Sequence, residues 1–297
     1  MTVSGVELSR PDKVLFADSG LTKRDLAEYY SAVAGVMLPY LTDRPISMQR
    51  FPDGVAGPGF YEKATPAHFP DWLDTAVVDT AEGLQSQVVV NSAKALVYLA
   101  NQACITPHTW LSRTKALDMP DQLIFDLDPS VDDIALVQRA TTVFGEFLHE
   151  LGLTSWVKTS GSRGFHIMVP LRPTENFNRT RTFAREVAET VAERVPRLLT
   201  VQQRRDQRGS RVYVDIMRNA YAQTVVPPYA VRARPGAPVS TPIEWYEVDS
   251  VTPDEYTMAS VRARLSRRGD AWHGVRRRGQ GLTKARHRLA RVRGDVH

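Results

Sequence analysis

Phe125-Asp126-Leu127-Asp128-Pro129 is the stretch from which the rest of the chain can be read. Side chains alternate across a strand, so Asp126 and Asp128 share one face while Leu123, Phe125 and Leu127 point into a core. Val212-Tyr213-Val214-Asp215 is built the same way: Val212, Val214 and Ile216 form an apolar face and Asp215 lies on the other. Between the two stands Ser160-Gly161-Ser162-Arg163-Gly164-Phe165-His166. It supplies two hydroxyls, backbone donors, an arginine and a histidine, which together suit a phosphate. Three gathered carboxylates repel one another unless cations sit between them. Mg²⁺ and Mn²⁺ take such oxygen ligands, and a pair of them serves in-line phosphoryl chemistry.

Each piece also has a structural explanation. Asp-x-Asp-Pro alone describes a strand running into a turn, where Asp and Pro are favoured. Ser-Gly-Ser-Arg-Gly alone describes a flexible turn. An aspartate in an apolar strand is harder to dismiss, because an unpaired buried charge is costly. Together the structural explanations need three coincidences in order.

The composition sets limits. At 297 residues with 42% apolar residues, the chain can hold one large domain or two small ones around a real core. Cys104 is the only cysteine, which excludes an intrachain disulfide and a cysteine-based zinc site and fits a reducing cytoplasm. The N-terminus has no basic stretch leading into an apolar run, so no signal peptide is expected, and no apolar run is long enough for a membrane span. The net charge of +5 is unevenly spread. Residues 261–297 hold 12 Lys/Arg against 2 Asp/Glu, leaving the first 260 residues at −5. The expected organisation is therefore a catalytic body over 1–260, as one unit or two subdomains, and a basic tail over 261–297. Such a tail is either a phosphate-backbone clamp or a solvated terminus.

Along the chain, Thr22 begins a helix with Asp25 as its capping partner and an apolar stripe of Leu26, Tyr29, Tyr30, Val33, Met37 and Leu38. The tyrosines read as core. A strand is expected over 45–51, a Gly/Pro-rich loop over 53–59, a helix over 91–103 and an extended segment over 104–110. Asp132 or Asp133 caps a helix that Gly152 stops. Strands over 155–159 and 165–170 flank the Ser-Gly loop, and a second amphipathic helix covers 175–195. Residues 227–242 read as an ordered loop over the site. No Gly-x-Gly-x-x-Gly and no Gly-x-x-x-x-Gly-Lys-Ser/Thr occurs, so a Rossmann or P-loop nucleotide site is unsupported.

These motifs resemble the archaeo-eukaryotic primase superfamily, and within it the polymerase domain of bacterial ATP-dependent DNA ligase D and its stand-alone relatives. The likeness runs from Pro11-Asp12-Lys13 to about Trp245. It rests on the Asp-x-Asp at 126/128, the loop from Ser160 to His166, and Asp215 in Val-Asp-Ile-Met-Arg-Asn. The stretch from Pro228 to Pro242 is also similar. One departure is Arg163, where the family more often has lysine; a planar fork replaces a point charge.

The resemblance implies an α+β fold of antiparallel or mixed sheets flanked by helices, with the active site in the cleft between them. It implies a primase-polymerase that adds ribo- or deoxynucleotides to a primer 3′-OH at gaps or broken ends in DNA repair. Two Mn²⁺ or Mg²⁺ ions would be held by Asp126, Asp128 and Asp215. Ser160, Ser162, Arg163, His166 and Arg232 would bind the triphosphate, with His108 near the nucleotide and Arg234 a weaker candidate. Lys13 and Lys23 would grip a 5′-phosphate on the downstream strand. Arg50 with Phe60 and Tyr61 would contact the template. The implied partners are gapped or broken DNA, nucleoside triphosphates, an ATP-dependent ligase and Ku in trans, and the expected state is a cytoplasmic monomer. Two rivals from other classes are a metal-dependent nucleotide-sugar transferase, since Asp-x-Asp also serves that chemistry, and a non-catalytic nucleic-acid-binding module. The Ser-Gly loop and Asp215 argue against the first, and the three intact carboxylates argue against the second.

Overall fold

Ten strands make the two large sheets within residues 1–294, the part of the chain that this computed structural model describes. They are β1 (Ile46–Arg50), β2 (Phe60–Glu62), β3 (Cys104–Trp110), β4 (Gln122–Pro129), β5 (Trp156–Thr159), β6 (Phe165–Pro170), β7 (Leu199–Thr200), β8 (Val212–Asp215), β9 (Thr224–Val225) and β10 (Pro242–Ile243). The helices are α1 (Lys23–Leu41), α2 (Ala93–Asn101), α3 (Ile134–Glu150), α4 (Phe177–Arg194), α5 (Met258–Arg268) and α6 (Thr283–Arg293). The fold is α+β, and it divides into two compact units. Met1–Leu117, Thr224–Thr241 and Asp254–Asp270 form the first, and Asp118–Gln223, Pro242–Pro253 and the chain from Ala271 form the second.

The second unit is built on a six-stranded sheet in the order β7-β8-β4-β6-β5-β10, antiparallel except for the parallel pair β7 and β8. Leu123, Phe125 and Leu127 are completely buried, as their alternation with the aspartates requires. Helix α3 covers their face, with the rings of Phe125 and Phe144 4.6 Å apart. Each large apolar side chain buried this way contributes about 1.5–3 kcal/mol. Asp133 is the cap of α3, its carboxylate accepting from the Leu136 N–H at 2.9 Å, and Gly152 follows the helix at φ +76°. Helix α4 turns Phe177, Phe183, Val187 and Val191 inward, in agreement with their spacing.

The first unit carries a four-stranded antiparallel sheet in the order β9-β3-β1-β2. Helix α1 starts with the expected capping box between Thr22 and Asp25. Tyr29 and Tyr30 are core residues: their hydroxyls donate to the carbonyls of Tyr229 at 2.9 Å and Ile105 at 2.6 Å. Residues 227–241 are ordered by backbone pairing, including Tyr229 N–H to the Ser240 carbonyl at 2.7 Å and Arg232 N–H to the Pro238 carbonyl at 2.8 Å. A two-stranded ribbon, Thr75–Thr80 with Gly83–Val88, was not anticipated from the sequence.

The segment expected as a basic tail is folded in its described part and is shared between the units, α5 lying in the first and α6 in the second. Apolar anchors explain why: Val261, Trp272, Val275, Leu282, Ala285 and Leu289 are all buried. The Trp272 indole N–H donates to the Val157 carbonyl on β5 at 2.9 Å. Among the described residues no helix is long and apolar enough to cross a membrane.

Candidate active site

Strand register does what alternation alone could not: it lines up residues from four strands. Asp126 on β4 stands opposite Asp215 on β8 and opposite His166 on β6, and His166 stands opposite Lys158 on β5. Residues directly opposite share a face, so Asp215, Asp126, His166 and Lys158 form one row across the sheet. Asp128 lies one step along the same face, opposite Tyr213.

This row concentrates negative charge. Burial pushes the Asp126 carboxyl up to about 7, and the neighbouring carboxylates of Asp215 and Asp128 push in the same direction, against the pull of Lys158 and Arg218. The other two acids are held by local partners. Asp128 accepts from the Arg163 guanidinium at 3.2 Å and pairs with Arg208 at 3.7 Å. Arg208 is itself anchored, donating to the Gln202 and Gln203 carbonyls at 2.9 and 2.8 Å and stacking over the Tyr213 ring at 3.9 Å. Asp215 accepts the Met217 N–H at 2.7 Å, which starts the turn at Met217–Asn219. Buried Asn219 then brackets β4, accepting from the Ile124 N–H at 2.8 Å and donating to the Ile124 carbonyl at 2.6 Å. Among the described residues no three acidic, histidine or cysteine side chains already converge into a coordination sphere. The donor chemistry nevertheless fits divalent ions: three hard carboxylates on one face, one of them destabilised as an anion by its neighbours.

The Ser-Gly loop is tied to this row by its backbone. Ser160 is buried, and its hydroxyl oxygen accepts the N–H groups of Ser162 and Gly164, both at 3.1 Å. The Ser160 N–H donates to the Gly164 carbonyl at 3.0 Å, and the Gly161 N–H to the Pro253 carbonyl at 2.9 Å. Ser160 therefore shapes the loop, while Ser162 and Arg163 remain partly exposed. Gly164 presses against β4 so closely that a Cβ there would stand 1.8 Å from the Leu127 carbonyl oxygen.

Lys158, which the sequence did not single out, orients His166. Its ammonium lies 2.8 Å from His166 Nδ1, and Nε2 of the same ring lies 3.5 Å from the Asp126 carboxylate. A charged ammonium only donates, so Nδ1 accepts and the ring proton sits on Nε2, on the side of Asp126. Replacing Lys158 with Met is expected to release both tautomers. The imidazole ¹⁵N shifts of His166 check this: an unchanged Nε2–H signature in the variant would remove Lys158 from the role.

The remaining expected site residues lie in the first unit, in two groups. Tyr61 and His108 pack edge to face with ring centroids 5.3 Å apart. Arg50 pairs with Glu62, donates to the Gln102 carbonyl at 2.9 Å and sits 5.7 Å from the centre of the Phe60 ring. Phe60 and Tyr61 are exposed. The second group is Lys13 with Lys23. Lys23 is buried, unlike the exposed lysine its sequence suggests, and donates to the Ser9 carbonyl at 2.7 Å. Burial, with the charges of Arg10 and Lys13 beside it, lowers its ammonium to about 8. Lys13 pairs with exposed Asp53 at 3.1 Å. Arg232 is partly buried and Arg234 exposed.

Comparison with known proteins identifies the family. Residues 22–272 match the family model described as the LigD primase-polymerase domain. A multifunctional non-homologous end joining DNA repair protein, LigD of Mycobacterium tuberculosis, is 32% identical over 277 residues, covering 89% of this chain and 36% of that protein. The bifunctional LigD of Bacillus subtilis is 29% identical, covering 87% of this chain and 42% of the relative. The chain thus spans well under half the length of these relatives. In three dimensions it is similar to the polymerase domain of Mycobacterium tuberculosis ligase D solved in complex with DNA, with a TM-score of 0.87 at 30% identity, over 93% of this chain and 99% of that one. Fold and similarity agree, and the chain belongs to the LigD primase-polymerase domain family.

Proposed function

We propose that this chain is a DNA-directed nucleotidyltransferase that extends a primer 3′-OH at gaps or broken ends in DNA repair. The observation that carries the reading is the row of Asp215, Asp126 and His166 beside Asp128, with the Asp126 carboxyl raised to about 7. A row of this kind calls for cations, and an anionic substrate brings them. Two divalent ions, when bound, supply charge neutralisation on the attacking and leaving oxygens. Asp126, Asp128 and Asp215 would hold them, and Arg163 and Arg208 must then give up Asp128. Freed, Arg163 joins Ser162 and His166 on the triphosphate; Arg232 and His108, in the first unit, are the nucleotide contacts that the family resemblance implies. Ser160 acts through the loop it organises.

The DNA contacts belong to the first unit. Phe60 and Tyr61, exposed beside Arg50, suit an unstacked template base, worth about 1–3 kcal/mol per base. Lys13 and Lys23 suit a terminal 5′-phosphate, because Arg10 and the two lysines form a like-charge group that a dianion relieves. A ligase and Ku acting in trans would complete end joining.

Primer extension on a gapped duplex, with Mn²⁺ or Mg²⁺ and with ribo- or deoxynucleotides, tests the assignment; no template-directed product with any combination would overturn it. The same substrate tests the lysines. A gap ending in 5′-phosphate is expected to bind roughly 10- to 100-fold tighter than one ending in 5′-hydroxyl, the worth of one charge-assisted contact. Lys23→Ala should erase that difference, and equal affinity of the wild-type protein for both ends would return these lysines to a purely structural role.

A further inference from the structure

The stretch from Ala271 to Gly294, almost all of it beyond the residues matched by the family model, contains eight Lys/Arg and no Asp or Glu. Part of this charge is accounted for inside the fold: Arg286 pairs with Glu175 at 2.6 Å and donates to the Arg179 carbonyl at 2.9 Å. Leu282, Ala285 and Leu289 bury the inner side of α6. What is left is one row, Lys284, His287, Arg288 and Arg291, all exposed and spaced i, i+3, i+4, i+7, with the Arg288 guanidinium resting against Gly152.

The helix is poorly served by its own electrostatics. Its N-cap is Leu282, which gives no side-chain hydrogen bond, its first turn holds no acid, and Lys284 stands there instead. A cation near a helix N-terminus opposes the macrodipole, which favours anions at that end. Arg291 near the C-terminus is ordinary dipole matching, but Lys284 is not. A local rule broken without an internal compensation points to a partner.

We propose that the outer row of α6 is a contact surface for the phosphate backbone of duplex DNA. The inference rests on the DNA-directed reading above and adds a second contact region to it. Two features favour DNA over an acidic protein. Among residues 271–294 no large apolar side chain is exposed, whereas protein interfaces are centred on apolar and aromatic anchors. A phosphate backbone needs cations alone. The dimensions also agree: Lys284 to Arg291 covers about 10 Å of helix, over which one duplex strand presents about three phosphates. The chain leading into α6 joins the sheet at Leu171, through its bridge to Gln280. That is roughly 16 Å along β6 from His166, so the duplex contacted lies beyond the catalytic row.

The test is a triple variant, Lys284→Gln, Arg288→Gln and Arg291→Gln, in the full chain, with a long-armed gapped duplex as the anisotropy probe across a salt series. The slope of log affinity against log salt is expected to flatten by about 2–3, at roughly 0.9 per lost phosphate contact. Primer extension at saturating DNA should stay at the wild-type rate. A companion variant, Lys284→Arg, Arg288→Lys and Arg291→Lys, should keep the wild-type slope, because the contact reads charge alone. An unchanged slope in the glutamine variant, or a flattened slope in the charge-preserving one, overturns the inference while extension continues normally. Binding that still flattens in a protein that extends no primer keeps the DNA surface and overturns the polymerase reading instead.

Discussion

Primer extension is expected to fall to background when Asp126 and Asp128 are both replaced by Asn, with the fold intact. The substitution preserves shape and hydrogen-bonding capacity but removes two of the three charges that would hold divalent ions. Stability should move the opposite way. The Asp126 carboxyl is raised in the fold from 3.8 to about 7, so the native state keeps a proton that the unfolded chain has already released. Stability of the metal-free protein therefore falls as pH rises from about 4 to about 7, and stays low above that. Each pH unit of displacement is worth about 1.4 kcal/mol, which puts the cost at pH 8 at about 4 kcal/mol at most. Asp126→Asn should recover it. The partly exposed pairs of Asp128 with Arg163 and Arg208 add no more than about 1 kcal/mol in the other direction when Asp128 is also replaced. Denaturant melts in chelator at pH 5 and pH 8 check the sign: a destabilised Asp126→Asn at pH 8 would mean that the carboxylates do not repel. Extension near the wild-type rate in the double variant would remove them from catalysis.

Gly164→Ala should be nearly as damaging, for a purely steric reason. The added methyl would lie 1.8 Å from the Leu127 carbonyl oxygen, a backbone atom of β4 with no rotamer to change. Either the loop lifts or the strand carrying Asp126 and Asp128 bends. A misplacement near 1 Å costs on the order of 100-fold in rate, and overpacking about 1–3 kcal/mol in stability. Gly35→Ala supplies the contrast. It lies on the exposed side of α1 with nothing near its would-be Cβ, so the helix should gain up to about 1 kcal/mol. Thermal melts and single-turnover extension of the two variants check this pair. A normal Gly164→Ala enzyme would show that loop and strand do not touch at this point.

Much of this was legible because local rules acted alone. Alternation put Asp126 and Asp128 on one face, the Thr22–Asp25 box started α1, and Asp133 capped α3. The three motifs of the second unit also converge as read. What stayed hidden depends on register between distant strands. Lys158 sits in an ordinary strand, and nothing local says that β5 will set it opposite His166. Arg208 is one of four arginines in Arg204–Arg211, and only the fold tells which of them stacks on Tyr213 and reaches Asp128. Lys23 looks solvated at a helix start because the Ser9 carbonyl that covers it lies in a separate turn. The C-terminal segment misled through composition: its arginines suggested a tail, while the sparse anchors Trp272, Leu282 and Leu289 hold it in place.

The interleaving of the two units has a consequence for how the protein is made. Each takes pieces from the start, the middle and the end of its own stretch of chain, and the last piece of both lies after residue 253. A ribosome that has passed β8 has delivered all three carboxylates but neither unit complete. Both units must wait for late sequence, with the loop-closure cost of such long-range contacts. Nascent chains therefore expose unfinished sheet edges until β10 has been made, a state in which chains aggregate or require chaperones. Maturation of one unit before the other is begun is closed to this topology, and truncated forms ending before α5 leave both units unfinished.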